Sequence, residues 1–470
     1  MKKTVLSFLT MVTAFSLNAQ VVQVKEINNS GILNASPANL FVYQNHIYFA
    51  ADDSSGSNSP NGEDLGKELW KSDGTESGTV LVKDLRIGSD SSSPNHFFNY
   101  NDILYFSANS GGGNVLFSTD GTEEGTNATG GPFIFNQVEL NNKIYYVNSV
   151  DSNKLYEFNG TSASTVINVG TGIESIVGAN IVAFNNKLYA YMDYSEDEPT
   201  VGRELYVYDP ETGVFSLIKD VDSGTGDSSI SNFTVVANTL FFEAKNALWM
   251  TDGTTEGTQA VEVALSVTGV NNFYGWNGTL FFEGDDGAGD QLWSYTKETN
   301  VLTKLSDVAG ENSDHDPSDY VVYEGYLYYS GKDANDSDKH LFRTDGTTVQ
   351  QIDTAIKDVD DLVEMNGVIY FEGDNGTTGN ELYSFDPESL STSSVFSKSI
   401  KIYPNPAQEY IVVPSELIGN EYSIVNITGS VVKKGFVVSE KIDLKLSSGV
   451  YIISFKTSKG LASKKLVIKN

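Results

Sequence analysis

Acidic loops hold the side chains with the clearest potential for chemistry. Asn312, Asp314 and Asp316 occupy alternate positions of one segment, as oxygen ligands do in calcium-binding loops. Pro317 stands where such a loop needs a flexible glycine, and Tyr323 stands where it needs a closing bidentate glutamate. We therefore predict an incomplete calcium site at Asn312, Asp314 and Asp316, with a merely solvated acidic loop as the alternative.

Two further kinds of acidic segment need separate interpretations. In one kind, several side chains with oxygen atoms lie close together in the sequence but do not complete a calcium-loop pattern. These residues are Asp285, Asp286, Asp290, Asp333, Asn335 and Ser337. The other kind is a recurring Asp-Gly-Thr triplet that comes at equivalent places along the chain. In such a triplet Asp accepts backbone N–H groups, Gly takes a positive φ and Thr bonds back to the chain, so we interpret it as a structural turn.

The sequence gives thin support for catalysis. Cysteine is absent, which excludes disulfides, thiol catalysis and cysteine-ligated metals. The four histidines share no repeated placement that we can recognise, and neither a Gly-x-Ser-x-Gly elbow nor a His-Glu-x-x-His motif occurs. A pair of carboxylates for glycoside hydrolysis remains an alternative, because sequence does not show which side chains meet in space.

Charge excludes one class of partner and locates a domain boundary. The 470 residues include 30 basic and 62 acidic side chains, a net charge of −32, which phosphate backbones repel. We therefore expect no nucleic-acid partner. Residues 396–470 reverse the sign, with 11 lysines against 5 acids. We place a linker at 391–398, between a domain of residues 20–390 and a tail of residues 399–470.

The acidic domain is built from internal repeats. An apolar-aromatic strand pattern recurs eight times at spacings of 40 to 57 residues. Its occurrences begin at Ile47, Leu104, Ile144, Leu188, Leu240, Leu280, Leu327 and Ile369. A Leu-aromatic pair follows each one, as at Leu69-Trp70, then turn residues and a branched strand. Four strands per repeat, with no sustained helical periodicity, predict an all-β fold, a β-propeller of about eight four-stranded blades.

The last repeat lacks its fourth strand. Residues 21–27 resemble the fourth strand at residues 80–85, so we expect the N-terminal strand to complete the last blade and close the ring. The alternatives are an open stack of repeats, or seven blades with one irregular insertion. Tryptophans at strand positions, such as Trp70, then fill the space between blades rather than bind ligands.

The first repeat carries a recognisable motif. Residues 68–75 read Glu-Leu-Trp-Lys-Ser-Asp-Gly-Thr, and Gly78-Thr79 follows. This segment resembles the Glu-Leu-Trp-x-x-Asp-Gly-Thr (ELWxxDGT) repeat proteins, which are extracellular propeller-like modules. The later repeats keep the motif only in part. The resemblance implies the architecture over residues 21–390 and implies no single activity.

The tail reads as a small β-sandwich of short alternating strands. It contains Ile402-Tyr403-Pro404-Asn405-Pro406, then Ile424 to Gly429, Leu446 to Ile452 and Lys464 to Lys469. This order resembles the type A C-terminal sorting domain of the type IX secretion system. The resemblance implies passage through the outer membrane with that machinery as a partner, followed by removal of the tail and release or anchoring. An ordinary carbohydrate-binding sandwich is the alternative.

The N-terminus predicts secretion. Lys2 and Lys3 precede a short apolar run, Val5 to Phe15, and a cleavage point follows Ala19, so we assign residues 1–19 to a signal peptide. A membrane anchor is the alternative, but the run is shorter than the ~20 residues a spanning helix needs, and we expect no transmembrane segment.

We expect a protein secreted from, or held on the outer surface of, a Gram-negative bacterium. The sequence favours a module for binding or adhesion, to a polysaccharide, a matrix component or a surface protein, with calcium as the one cofactor considered. Candidate contact loops are residues 51–66, 194–202 and 306–318. The alternatives are an extracellular carbohydrate-active hydrolase or lyase, and a surface-coat component without a discrete site.

Overall fold

The described part of the chain is almost entirely β-structure. The computed structural model describes residues 21–28, 33–54, 56, 62–131, 133–148, 154–160, 165–166, 173–194, 201–308, 314–335, 337–390, 400–426, 431–457 and 460–469. It divides into two compact units, one of residues 21–384 and one that includes residues 385–470. Within the described residues, only three short 3-10 turns are helical, at Glu262–Ala264, Pro387–Leu390 and Ser415–Leu417.

Thirty-two strands build eight four-stranded sheets in the first unit. The first strand is β1 (Val21–Lys25). Blade 1 contains β2 (Ala38–Tyr43), β3 (His46–Asp52), β4 (Lys67–Ser72) and β5 (Val80–Lys83), and blade 2 contains β6 (Asn95–Tyr100), β7 (Ile103–Asn109), β8 (Asn114–Thr119) and β9 (Asn127–Ala128). Blade 3 contains β10 (Phe135–Leu140), β11 (Lys143–Asn148), β12 (Lys154–Phe158) and β13 (Thr165–Val166). Blade 4 contains β14 (Ile173–Phe184), β15 (Lys187–Tyr194), β16 (Glu204–Asp209) and β17 (Val214–Lys219).

The remaining strands of this unit make blades 5 to 8. Blade 5 contains β18 (Ser231–Val236), β19 (Thr239–Ala244), β20 (Ala247–Thr251) and β21 (Gln259–Ala260), and blade 6 contains β22 (Thr268–Trp276), β23 (Thr279–Asp285), β24 (Asp290–Thr296) and β25 (Val301–Lys304). Blade 7 contains β26 (Ser318–Tyr323), β27 (Tyr326–Lys332), β28 (Lys339–Thr344) and β29 (Val349–Gln351). Blade 8 contains β30 (Lys357–Met365), β31 (Val368–Asp374) and β32 (Asn380–Phe385). Blades 1 to 7 each use four consecutive strands.

The eighth blade is completed by the N-terminal strand. Its strand order is β1-β32-β31-β30, so the first strand of the chain is the outermost strand of the last blade. The prediction of eight blades closed by the N-terminal strand is therefore confirmed. Because the ring closes, the backbone of β32 is paired on both sides and does not offer a sheet edge.

The apolar core lies between blades. Tyr48 and Leu69 of blade 1 share one buried cluster with Phe97 and Phe106 of blade 2. The first and last blades meet in the same way, since Phe49 and Trp70 pack with residues of blade 8. Trp70 is 1% exposed, so the prediction that it fills inter-blade space is confirmed. Burial of both faces of each sheet explains why these strands are apolar on both sides.

The antiparallel order gives the ring two different faces. Connections from first to second strand and from third to fourth strand lie at one end of each blade, which we call the turn face. Connections from second to third strand and from blade to blade lie at the other end, which we call the loop face. The three loops predicted to make contacts, within 51–66, 194–202 and 306–318, are all connections of the loop face. Residues 195–200 and 309–313, and parts of 55–61, lie outside the described residues.

The Asp-Gly-Thr triplets are structural turns, as predicted. Asp73 Oδ1 accepts hydrogen bonds from the backbone N–H of Thr75 at 2.9 Å and from its hydroxyl at 2.7 Å. A Cβ on Gly78 would lie 2.0 Å from the same Asp73 oxygen, so only glycine fits there. The turns that contain Asp120 and Asp252 repeat these bonds.

The glutamate that opens the repeat motif in blade 1 ties the blade to the connection that follows it. Glu68 accepts hydrogen bonds from the backbone N–H of Leu85 at 2.7 Å and of Ser92 at 2.9 Å. Burial raises the pKa of Glu68 to about 7, although these hydrogen bonds oppose the shift. His340 occupies the same place in blade 7 and bonds through Nδ1 to Ile356 O at 2.8 Å. A histidine thus replaces the glutamate of the motif in blade 7, at the same place in the strand register.

The second unit contains six strands in two sheets around one core. They are β33 (Tyr410–Val412), β34 (Glu421–Asn426), β35 (Val431–Phe436), β36 (Lys441–Asp443), β37 (Gly449–Thr457) and β38 (Gly460–Ile468). One sheet pairs β33 with β36, and the other has the order β35-β34-β37-β38. Ile411 and Ile442 of the small sheet share a buried cluster with Ile424 and Phe455 of the large one. Among the described residues, no helix is long and apolar enough to cross a bilayer.

Candidate cation site on the loop face

Three carboxylates meet at the junction between blades 6 and 7. Glu283 comes from the second strand of blade 6, Asp290 begins its third strand, and Asp316 lies in the connection that enters blade 7. Their carboxylate oxygens lie within 4.8 Å of one another. Backbone pairing fixes this arrangement, because the N–H of His315 donates to the carbonyl of Asp290 at 2.6 Å. We call Glu283, Asp290 and Asp316 the carboxylate cluster.

Neighbouring polar groups hold the cluster in place. Glu283 is 6% exposed and accepts hydrogen bonds from Asn271 Nδ2 at 3.0 Å and Asn272 Nδ2 at 2.8 Å. The N–H of Asp290 donates to Asp314 Oδ1 at 3.3 Å, which brings a fourth carboxylate to the rim. Lys332 forms an ion pair with Asp316. One ammonium thus faces four carboxylates.

Burial and mutual repulsion shape the protonation of the cluster. Burial raises the pKa of Asp290, and the charges of Asp314 and Asp316 raise it further. Burial also raises the pKa of Glu283, while the hydrogen bond from Asn272 opposes that shift. The hydrogen bond to Asp316 raises the pKa of Lys332. An added cation would relieve this repulsion.

The equivalent junctions in other blades lack this concentration of charge. The third strand begins with Asp290 in blade 6, but with a lysine in blades 1 and 7 and an asparagine in blade 8, at Lys67, Lys339 and Asn380. Asp316 has a φ of 49° and precedes a proline, and the equivalent residues entering blades 1 and 2 are Ser36 and Ser93. The ring therefore does not require either aspartate as part of its frame.

Glu283 also has a framework role that the other two lack. Glu243 is its equivalent in blade 5, and there Glu243 Oε2 accepts hydrogen bonds from the Ser231 hydroxyl and from Asn232 Nδ2. In blades 1 and 7 the same position holds Ala50 and Ser330. Asp358 occupies the position of Asp316 at the entry to blade 8, so Asp290 is what the blade 6–7 junction adds to the repeat.

The residues that meet in the structure differ in part from the calcium ligands predicted from the sequence. Asn312 lies outside the described residues, and Asp314 and Asp316 flank His315 at the end of the same connection. Asp290 belongs to a different acidic segment, and its register brings it to Asp316. Its neighbour Asp286 is instead engaged by Lys304 at 3.1 Å. Sequence reasoning missed Glu283, which lies inside a strand motif.

The spacing of the cluster suits a hard cation better than acid–base catalysis. Ca²⁺ takes ~6–8 oxygen ligands at ~2.3–2.6 Å, and such a shell needs carboxylates that converge on one point. Carboxyl groups for glycoside hydrolysis stand ~5–5.5 Å or ~6.5–9.5 Å apart, with the sugar between them. One oxygen from each of the three carboxylates lies within 4.8 Å of the other two, an arrangement that can surround one ion, whereas glycoside hydrolysis uses a pair.

Comparison with known proteins identifies the tail. Residues 401–469 match the model of the secretion system C-terminal sorting domain. That domain implies export by the type IX secretion system and contact with its machinery, so the protein is secreted or placed on the outer cell surface. No curated protein matches the sequence.

Solved structures resemble the chain at the level of fold. PorZ, a surface component of the type IX secretion system of Porphyromonas gingivalis, is 14% identical with a TM-score of 0.40, over 92% of this chain and 66% of PorZ. An oligogalacturonate lyase of Vibrio parahaemolyticus is 14% identical with a TM-score of 0.45, over 76% and 100% of the two chains. The β-propeller domain of the Trilobed protease of Pyrococcus furiosus is 12% identical with a TM-score of 0.42, over 68% and 99%.

Proposed function

We propose that the protein is an exported binding module whose loop face engages an extracellular glycan or surface protein with the help of calcium. The carboxylate cluster carries this proposal, because Asp290 stands where blades 1, 7 and 8 have a lysine or an asparagine, and it meets Glu283 and Asp316 there. Asp290 and Asp316 repel each other in the folded protein, and a bound Ca²⁺ would turn that repulsion into attraction. A cation held at the rim of the loop face could also accept ligand oxygens.

The remaining parts of the proposal concern processing and family. The signal peptide at residues 1–19 lies outside the described residues and completes the export route with the sorting tail. The boundary of the propeller at residue 390, the linker at 391–398 and the removal of the tail stay part of this proposal. So does membership of the first unit in the ELWxxDGT repeat proteins, supported by the recurrent bonds of the Asp-Gly-Thr turns.

Calcium titration with matched variants tests the cation site. Isothermal titration of the full chain, purified in chelator, should show Ca²⁺ binding, and Ca²⁺ should raise Tm because it binds only the folded state. D290N and D316N should each lose at least about tenfold in affinity, since each removes a charged ligand. D307N is the control, since Asp307 has a side chain 86% exposed and lies outside the cluster.

The D307N control distinguishes Ca²⁺ binding at the carboxylate cluster from nonspecific binding by the overall negative charge of the protein. If D307N lost as much affinity as D290N, Ca²⁺ would be bound by overall charge and the site would be rejected. An unchanged Tm and no heat on Ca²⁺ addition to the wild type would reject calcium altogether. Binding to bacterial-surface or host polysaccharide, measured with and without chelator, then shows whether the loop face depends on the ion.

A further inference from the structure

One inter-blade contact recurs on the turn face. A tyrosine hydroxyl from the second strand of one blade lies against the glycine of the next blade's Asp-Gly-Thr turn. A Cβ placed on Gly74, Gly121 or Gly253 would lie 2.2, 2.4 or 2.7 Å from the hydroxyl oxygen of Tyr370, Tyr48 or Tyr189, in that order. The hydroxyl therefore fills the space beside the turn at three junctions.

The junction between blades 6 and 7 breaks this pattern. Phe281 stands in the tyrosine position, and the turn glycine is Gly346. The nearest side-chain atoms to a Cβ on Gly346 are Phe281 Cζ at 3.8 Å and Trp276 Cζ3 at 3.9 Å. The space that a hydroxyl fills elsewhere is open here.

A pocket of about 220 Å³ occupies this position. Its walls come from blade 6 and from the Asp345-Gly346 turn of blade 7. Pockets for drug-sized ligands begin at about 300 Å³, so this one suits a ligand of about one ring. Side chains that line it include Trp276, Thr279, Phe281, Thr296, Thr303 and Asp345.

The lining combines an aromatic surface with hydroxyl groups. Trp276 is half-buried, and its ring centroid lies 5.6 Å from that of Phe281 at an interplanar angle of 40°. The hydroxyls of Thr279 and Thr296 bond to each other at 2.9 Å and can still exchange hydrogen bonds with a ligand. Indole beside hydroxyls matches a molecule with apolar C–H faces and many OH groups.

Asp345 supplies an ionised acceptor at the mouth of the pocket. Thr347 donates to Asp345 Oδ1 through its N–H at 2.9 Å and its hydroxyl at 2.7 Å, and the N–H of Thr348 donates to the same oxygen at 2.8 Å. These bonds hold the pKa of Asp345 well below its usual range, the hydroxyl of Thr347 contributing most. No described residue donates to Oδ2, so that oxygen can accept from a ligand and repels an anionic one.

We propose that this pocket, bounded by Trp276, Phe281 and Asp345, binds one neutral pyranose unit of an extracellular polysaccharide. The indole packs on the C–H face of the sugar, and the threonine hydroxyls and Asp345 Oδ2 bond to its OH groups. The pocket lies on the turn face and the carboxylate cluster on the loop face of the same blade, so the proposal does not depend on the cation.

Phe281→Tyr is the sharpest test, because it restores the hydroxyl present at Tyr48, Tyr189 and Tyr370. The variant should fold like the wild type, since three other junctions accommodate the same group. It should bind neutral sugars at least about tenfold more weakly, because the hydroxyl takes the space beside Gly346 that the sugar would enter. Tyr189→Phe is the control, which removes the hydroxyl at another junction and should leave affinity unchanged.

The probes are cellotetraose, maltotetraose and mannotetraose, with tetragalacturonate as the anionic comparator. Tryptophan fluorescence and calorimetry of the full chain in chelator measure binding, so a failure of the cation site does not affect the readout. We expect at least one neutral sugar to bind and tetragalacturonate to bind at least about tenfold more weakly. Equal binding by Phe281→Tyr, preference for tetragalacturonate, or no binding of any neutral sugar up to about 10 mM would overturn the proposal.

Discussion

Glu381 receives a hydrogen bond from Ile27 across 354 residues of chain. The backbone N–H of Ile27 lies 2.8 Å from Glu381 Oε2, and the N–H of Asn28 lies 3.0 Å from Oε1. Within blade 4 the equivalent bond joins the N–H of Val221 to Glu204 Oε2 at 2.8 Å, only 17 residues apart. The ring is thus closed by the same contact that Glu68 and Glu204 make within blades 1 and 4.

Removal of the Glu381 carboxylate should destabilise the closed ring. Glu381→Ala removes the carboxylate that accepts from two buried N–H groups, and we expect a loss of about 2–4 kcal/mol in the free energy of unfolding. Glu381→Gln should cost less, since Gln291 fills the equivalent position of blade 6 and accepts the N–H of Val308 at 3.0 Å. Chemical denaturation of the three proteins measures both losses. Equal stability of Glu381→Ala and wild type would show that the closure bond contributes nothing.

Stability should fall as the pH rises from about 5 to about 8. Burial raises the pKa of Glu68 to about 7 and of Glu381 to about 8, and burial with a hydrogen bond to Asp319 raises that of Asp360 to about 7. In the unfolded chain these carboxyl groups titrate near about 4, so the folded state holds more protons in this window. The stabilisation is complete below the unfolded pKa and is lost as the pH passes the folded value.

Calorimetric Tm values at a series of pH values measure this loss. Glu381→Gln removes one titrating group and should flatten the profile between about pH 6 and pH 8. A wild-type Tm that stays constant or rises across the window would contradict the assignment of raised pKa values to these groups.

Gly78 should not tolerate a side chain. A Cβ there would lie 2.0 Å from Asp73 Oδ1, so Gly78→Ala must displace the carboxylate that holds the turn. We expect a loss of about 1–3 kcal/mol from this overpacking. Gly112→Ala is the control, because a Cβ at Gly112 meets nothing within 4 Å, and it should stay within about 0.5 kcal/mol of wild type. Similar unfolding midpoints for both variants in urea would refute the proposed role of Gly78.

Lys332 should compete with a cation for the carboxylate cluster. It pairs with Asp316, so Lys332→Gln removes the positive charge that Ca²⁺ must displace. We expect about five- to tenfold tighter Ca²⁺ binding and a lower Tm in chelator, because the carboxylates then repel without compensation. Lys304→Gln is the matched control, since Lys304 pairs with Asp286 and Asp307 outside the cluster. Weaker Ca²⁺ binding by Lys332→Gln would place the ion elsewhere.

Repeated local patterns made the ring predictable from sequence. The turn at Asp73 is specified by residues within six positions of one another, so its bonds recur wherever the motif recurs. The strand at Val21–Lys25 resembles the fourth strand of another repeat, and the unfilled place in the last blade indicated where it would pair. Backbone propensity and turn chemistry are short-range properties, and sequence alone can report them.

Only the tertiary structure decided where chemistry is concentrated. Asp290 and Asp316 are 26 positions apart, and they meet because strand register and the next blade place them at one junction. The pocket beside Phe281 is open because Phe281 lacks the hydroxyl that a tyrosine carries at this position in other blades. That difference opens a space because Phe281 lies next to Gly346 of the following blade. The sequence determined the repeat and the export tail, whereas the approach of side chains from different blades depends on packing across the ring, which a linear pattern does not encode.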